Sequence, residues 1–516
     1  MLVKTYCAAV NGLQVTTVMI EVSVESGQAI SLSGLGDEAV RESLSRIRTA
    51  FLYNHYKFPN SNTTINLAPA DLRKEGTVFD LPIAVGILAA SEGMPVTHLG
   101  EYMMIGELGL DGRLQPIRGA LPIAIRARQE KYKGIIVPKE NAREAAVVDR
   151  LEVYGMESLF EVVEFLSDKY DAEPVVYDTR KVFFENQCNC DLDFAEVRGQ
   201  EVVKRAMEIA AAGGHNMIMI GPPGSGKSMM AKRLPGILPP LSLAESLETT
   251  QIHSIAGKLG AEATLISQRP FRSPHHTVSQ VALCGGGNKA MPGEISLAHN
   301  GVLFCDELPE FSKSTLEVLR QPLEDRRITI SRARYTIEYP CSFMFVASAN
   351  PCPCGYYGDR THNCVCTPGQ IQRYMNKISG PLLDRIDIQC EIQPVPFGDL
   401  SRPADGEPSS VIRERVIKAR KIQEERYKDY PGIHCNAQMT ERMLHQFAEP
   451  NEEGIKLLRS AMSRFNLSAR AYTRILKVAR TIADLEGQEM VQTNHLAEAV
   501  GYRKLDRGDW AERPLH

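Results

Sequence analysis

No stretch of the sequence reaches the ~18 uncharged apolar residues that a membrane-crossing helix needs. The opening residues, MLVKTYCAAVNGLQ, also lack the basic start, apolar run and small-residue cleavage site of a secretion leader. From these two absences we expect a cytoplasmic protein with no membrane partner. Positive charge is not in excess either, since 59 Lys and Arg face 63 Asp and Glu for a formal net charge of -4. A uniformly basic coat for nucleic acid is therefore excluded, and any such contact has to be local. Twelve cysteines in 516 residues do not make a disulfide framework, and four of them crowd into one short segment, the pattern of reduced thiols with room for a metal. No internal repeat is evident.

What is present is an ordinary globular composition, 43% hydrophobic and 24% charged, in a chain long enough for roughly three cores. Val15 to Val24 is rich in β-branched residues, Asp37 to Phe51 has apolar residues at helical spacing, and Thr63 to Leu67 reads as a short strand. An apolar helix at Leu81 to Ala90, a turn at Asp111-Gly112, a helix at Leu121 to Glu130 and a strand at Gly134 to Val137 complete an α/β domain over residues 1–170. Residues 171–193 lose periodicity and carry Pro174, Cys188 and Cys190, so they read as a linker. Over 194–395, a helix at Glu201 to Ala212 and strands at Met217 to Ile220, Gly301 to Cys305 and Phe343 to Ala347 alternate in the manner of a mostly parallel sheet. Residues 396–516 are largely helical, from Ser410 to Tyr427 and again from Glu452 onward.

The strand Met217 to Ile220 runs straight into Gly221-Pro222-Pro223-Gly224-Ser225-Gly226-Lys227-Ser228, which then opens a helix. This is the G-x-x-x-x-G-K-[ST] phosphate loop in its strand-to-helix setting. Its glycines let the backbone turn tightly and aim successive N–H groups at phosphate oxygens. Lys227 supplies a point charge to the β and γ phosphates of ATP, and Ser228 offers a hydroxyl to Mg²⁺. A second apolar strand ends in Asp306 and Glu307, placed to hold Mg²⁺ through its water shell and to orient and deprotonate the attacking water, respectively. A third ends at Asn350, whose amide can reach the γ-phosphate or the lytic water.

Three further segments accompany these strands: Arg269-Pro-Phe-Arg-Ser-Pro-His-His276, Pro292-Gly-Glu-Ile-Ser-Leu-Ala-His299 and Ile378-Ser-Gly-Pro-Leu-Leu-Asp-Arg-Ile-Asp387. With them the chain resembles, over nearly its whole length, the magnesium-chelatase-like AAA+ ATPases of the ComM/YifB group. The resemblance implies an α/β fold: a P-loop AAA+ three-layer core with a C-terminal helical lid, preceded by a Lon-protease-like domain. It implies a hexameric ring in which Arg385 reaches a neighbour's γ-phosphate as an arginine finger, a structural ion pair with Asp384 or Asp387 being the alternative role. Arg470 matches the residue called sensor 2, with Arg474 one turn on as the other candidate. Leu283 to Ile295 resembles a helix-2 insert, and Glu324 to Arg334 a pre-sensor-1 hairpin with Ile328 and Ile330 turned inward. In a ring both would face the pore, where Arg326, Arg327, Arg332 and Arg334 could meet a phosphate backbone or else remain a solvated charged face.

In the Lon-like domain, proteolysis would need a serine near Thr77 to Asp80 and a lysine near Leu121, and neither is present. Loss of protease activity is expected. Cys352, Cys354, Cys364 and Cys366 form a C-x-C pair, nine residues, then a second C-x-C pair, which leaves two readings open: four thiolates around Zn²⁺, or four free thiols. His362 lies between the pairs and is given no role. The functional expectation is an ATP-driven, ring-forming remodeller of branched or single-stranded DNA. The alternative is a chelatase-type ATPase acting on a protein partner.

Overall fold

The computed structural model describes every residue except 92–97, 188–190, 261–264, 288–289, 332–335, 360–361, 396–405, 466 and 504–516, and describes the backbone alone at Thr179 and Arg180. The chain divides into two compact units, residues 1–185 with 243–267, and residues 186–242 with 268–516.

The first unit is built on a seven-stranded sheet, in the order Ile30–Ser33, Asn62–Ala68, Gln14–Glu25, Leu2–Asn11, Tyr102–Met104, Gly134–Pro138 and Glu152–Met156. Leu2–Asn11 and Gln14–Glu25 form an antiparallel hairpin in which Val10 faces Val15, while the last three strands run parallel. The expected elements are present: helices at Glu38–Tyr53, Asp80–Ser91 and Ala120–Gln129, each displaced by a residue or two from its sequence bounds. Leu2–Asn11 and Glu152–Met156 were not among them. Helix Asp80–Ser91 is buried from Asp80 through Ala89, because it packs against both strands of the hairpin and against helix Glu38–Tyr53. That burial is why it shows no polar face. Gly86 makes the approach possible, since a Cβ there would stand 2.8 Å from Val22 Cγ2.

Where a Lon-type protease would carry its serine, this unit has a buried ion pair. Asp80 is inaccessible and accepts from Arg46 Nε at 2.8 Å and Nη2 at 3.0 Å, and Leu121 is core. The linker region contains a helix, Thr179–Asn186, that its mixed composition conceals. Segment 243–267 interrupts the nucleotide-binding stretch of sequence but belongs to the first unit. Helix Leu243–Ala256 lies against Ala120–Gln129, Leu247 and Leu265 pack on the core, and Ser254 donates to the buried Glu144.

The second unit carries a five-stranded, all-parallel sheet in the order Phe271–Arg272, Val302–Cys305, Met344–Ala349, Met217–Ile220 and Ile388–Glu391. Its strands are nearly all apolar and buried, as expected for a sheet covered on both faces. Helix Glu201–Gly213 covers it and is met by helices Ser409–Tyr427 and Ala469–Leu485 of the helical C-terminal region. Those helices are joined by a buried polar network: Asp484 accepts from Arg426 Nη1 at 2.8 Å, from Arg480 Nη2 at 2.9 Å and from Asn436 Nδ2 at 2.8 Å.

Candidate active site

The parallel register brings three strand ends to one edge. Ile220 pairs with Ala349 and Cys305 with Ala347, so Gly221, Asp306 and Asn350 emerge side by side at the carboxyl edge, where such sheets bind ligands. Gly221 passes so close to the neighbouring strand that a Cβ would meet Ile392 O at 2.2 Å. Gly224 and Gly226 have φ of 75° and 91°, which only glycine adopts at low cost. Gly226 caps helix Lys227–Arg233 without a side-chain acceptor, leaving that helix start open to an anion.

Lys227 folds back across the loop. Its Nζ donates to Gly221 O at 2.7 Å, Pro222 O at 2.8 Å and Asn350 Oδ1 at 3.2 Å, acceptors that hold it where phosphate oxygens would replace them. Burial pulls this ammonium below the usual lysine range, against the opposing pull of Asp306 and Glu307. Ser228 Oγ donates to Asp306 Oδ2 at 2.6 Å, while Asp306 Oδ1 accepts from Ser348. A hydroxyl and a carboxylate in contact fit a hydrated Mg²⁺: Ser228 and Asp306 would hold the ion, which would supply positive charge against the phosphates. Glu307 is held at φ 52°, a left-handed conformation seldom taken by residues other than glycine, with its N–H donated to Ser348 Oγ at 3.0 Å. Its carboxylate is half-exposed, 4.0 Å from His276 Nδ1. Ser348 and His276 thus belong to the site although no role attached to either in the sequence. Ser348 was findable, because it precedes Asn350 by two and shares its side of the strand.

Arg385 and Arg470 are elsewhere. Ile388 pairs with Met217 and Glu391 with Ile220, so residues 384–387 lie at the amino edge of the sheet, a strand length of roughly 10 Å from the phosphate loop. There Arg385 is 7% exposed, paired with Glu324 and donating to Pro381 O at 2.5 Å, with its buried Nε lacking any partner among the described residues. Its pairing with Glu324 replaces both partners considered from sequence. Asp384 instead accepts from Arg470 at 3.3 Å, and Asp387 from Arg474 at 2.8 Å. Burial would raise the Asp387 carboxyl, but Arg474, His215 and Lys477 together hold it well below the usual carboxylate range. Arg385, Arg470, Arg474 and Lys477 line one cavity of about 280 Å³.

The hairpin Arg327–Ser331 with Thr336–Pro340 turns Ile328 and Ile330 inward as expected. The two described arginines at this hairpin are placed differently. Arg326 stands at the hairpin's base at φ 55° with Asp387, Arg420 and Arg474 as its electrostatic neighbours, and Arg327 is paired to Glu338 at 2.9 Å. Arg332 and Arg334 lie outside the described residues. In the insert, Gly285–Gly286 pairs with Met291–Pro292, and Tyr339 OH donates to Ala290 O at 3.1 Å, joining it to the hairpin.

The four cysteines after Asn350 converge. Cys352 Sγ lies 3.3 Å from Cys354 Sγ and 3.6 Å from Cys364 Sγ, and all four sulfurs, that of Cys366 included, fall within 4.8 Å of one another. His362 stacks on Tyr356, ring centroids 4.7 Å apart, and takes no place among the thiols.

Residues 193–400 match the family described as Magnesium chelatase, subunit ChlI, residues 20–141 match Subunit ChlI of Mg-chelatase, and residues 406–503 match Magnesium chelatase, subunit ChlI C-terminal. Competence protein ComM of Haemophilus influenzae is 44% identical over 507 residues, 97% of each chain. The chain belongs to the magnesium-chelatase-like ComM/YifB family of AAA+ ATPases. The protein YifB of Salmonella typhimurium, another relative in this family, is 43% identical over 96% of each chain. A partial likeness to Lon protease 2 of Bacillus subtilis, 25% over 186 residues, covers 31% of this chain and 33% of that one. Membership in this AAA+ family accounts for a phosphate loop, acidic strand end and polar amide meeting at one edge. Among the described residues no helix is long and apolar enough to cross a membrane.

Proposed function

We propose that this chain assembles, in the cytoplasm, into a hexameric ring that hydrolyses ATP at the junctions between subunits and uses the stroke to move branched or single-stranded DNA. The observation that carries the proposal is the division of the site. Lys227, Ser228, Asp306, Glu307 and Asn350 share the carboxyl edge of the sheet, whereas Arg385, Arg470 and Arg474 line a cavity at the amino edge. These three guanidinium groups lie away from the phosphate loop of their own chain, an arrangement that supports their being supplied by a second copy. The unpartnered buried Nε of Arg385 is a donor kept ready for an oxygen from outside the subunit. DNA as substrate is supported by the likeness to a competence protein and by a hairpin whose outward positions, Arg327, Thr329 and Ser331, are exposed. The matches to magnesium chelatase subunits favour a second reading, remodelling of a protein partner during metal insertion.

Mixing tests the division. Lys227→Ala alone should lose tight ATP binding, and Arg385→Ala alone should bind ATP but turn it over about 10³-fold more slowly. Combined in equal amounts, the two should recover activity, because about a quarter of the junctions in a randomly mixed ring pair an intact loop with an intact arginine. No recovery above the separate variants would count against a shared site. Glu307→Gln should keep nucleotide and lose at least about 10²-fold in turnover. Stimulation of hydrolysis by a four-way DNA junction, with junction migration, supports the DNA reading, and stimulation only by a tetrapyrrole-binding protein supports the other.

A further inference from the structure

Among the described residues, Cys352, Cys354, Cys364 and Cys366 are grouped closely enough to hold a metal ion, and the place of this thiol cluster in the chain gives it a purpose. It begins two residues beyond Asn350, whose amide oxygen holds Lys227, and its first turn packs onto the phosphate loop itself. Gly355, at φ 87°, lies so close to Pro223 that a Cβ would stand 2.6 Å from the ring's Cδ. Only glycine fits there, and the contact ties the loop of cysteines to Gly221–Ser228.

The sulfur positions select among ligands. Four thiolates at about 2.3 Å from one zinc ion stand about 3.8 Å apart along the edges of a tetrahedron. Here the separations are 3.3, 3.6 and 3.6 Å, with every pair inside 4.8 Å. That is longer than a disulfide of about 2.05 Å, and a multi-iron cluster would hold its cysteines farther apart than one metal ion does. Backbone N–H groups already point at the sulfurs: Tyr357 N donates to Cys352 Sγ at 3.3 Å and Cys366 N to Cys364 Sγ at 3.4 Å. Such donors stabilise the negative charge of a metal thiolate centre from its second shell. Cys352 is fully buried, and the other three are partly exposed, which gives an ion a way in.

We propose that Cys352, Cys354, Cys364 and Cys366 bind one structural Zn²⁺ ion, and that this ion fixes the loop that holds Asn350 and Pro223 in place around the nucleotide. Binding replaces four S–H bonds by four Zn–S bonds and releases four protons, with no change of oxidation state. The coupling to ATP rests on the nucleotide site described above, whereas the metal does not.

The full chain, purified without chelator, should carry one zinc per subunit by elemental analysis. Reconstitution with Co²⁺ should give intense thiolate-to-metal charge-transfer absorption with the visible bands of a tetrahedral site. Zinc far below one per chain, one iron in its place, or four thiols that react freely with a disulfide reagent in the folded protein would each overturn the metal assignment. These readouts need no variant, so they stand even if Cys352→Ser or Cys364→Ser fails to fold. Stripping the ion and restoring it should weaken and then restore binding of a fluorescent ATP analogue, by about tenfold, the scale at which loss of second-shell support is felt. Unchanged affinity in the stripped, folded protein would overturn the coupling. Lys227→Ala separates the two readings, since it should keep its zinc while losing ATP.

Discussion

Lys477 shows how a single side chain reports on the cavity it shares with Arg385, Arg470 and Arg474. Its ammonium donates to Ala437 O at 2.9 Å and is held down to about 8, by burial first and then by Arg474, against the attraction of Asp387. In the unfolded chain a lysine keeps its proton to about 10.4, so between these values the unfolded state binds more protons and stability rises with pH. Lys477→Met should remove that rise. Urea unfolding of wild type and variant at neutral and at alkaline pH will show it, and an identical alkaline gain in both would assign the effect to other groups. Much of the site was readable residue by residue, because a phosphate loop and an acidic strand end are local patterns whose chemistry depends on immediate neighbours. Arg385 was readable only as a motif. That its partner is Glu324, sixty-one positions back, depends on a fold that brings distant segments together.

At the scale of elements, the hairpin and the insert behave as one piece. Gly285 has φ of 100°, and a Cβ there would lie 2.4 Å from Met291 O and 2.6 Å from Ile330 Cδ1, so the insert's ladder presses directly on the hairpin's inward face. Tyr339 adds the hydrogen bond to Ala290. Gly285→Ala should therefore force the two apart at a cost of about 1–3 kcal/mol. It should lower DNA-stimulated hydrolysis while leaving DNA-independent hydrolysis near wild type, and equal loss of both would mean that the change reaches the nucleotide site instead. Element positions were legible wherever one face alternates, as at Ile328 and Ile330. Leu2–Asn11 escaped because its first half alternates but its second is buried at consecutive positions, and buried runs do not announce a strand by periodicity. The setting of Arg326 was not legible for a related reason: adjacency to a basic hairpin says nothing of its left-handed backbone or of its neighbours Asp387, Arg420 and Arg474.

For the whole molecule, composition and motif order indicated an α/β architecture and its helical C-terminal region, since each has its own hydrophobic periodicity, although the parallel sheet and the C-terminal helices share one core. They could not indicate that segment 243–267 leaves the stretch between phosphate loop and acidic strand to complete the other unit. The chain consequently passes between its two halves three times, at 185–186, 242–243 and 267–268. A truncation starting at Asn186 would leave Leu247 and Leu265 without the apolar surface they cover and Ser254 without Glu144. Such a fragment should aggregate or melt well below the intact chain, whereas excising 243–267 along with the leading 185 residues should restore solubility; gel filtration of both fragments decides it, and a monodisperse first fragment would refute the expectation. Evolution cannot easily shed or exchange the leading half by recombination at a single breakpoint, because its fold is written in two separate places along the polypeptide.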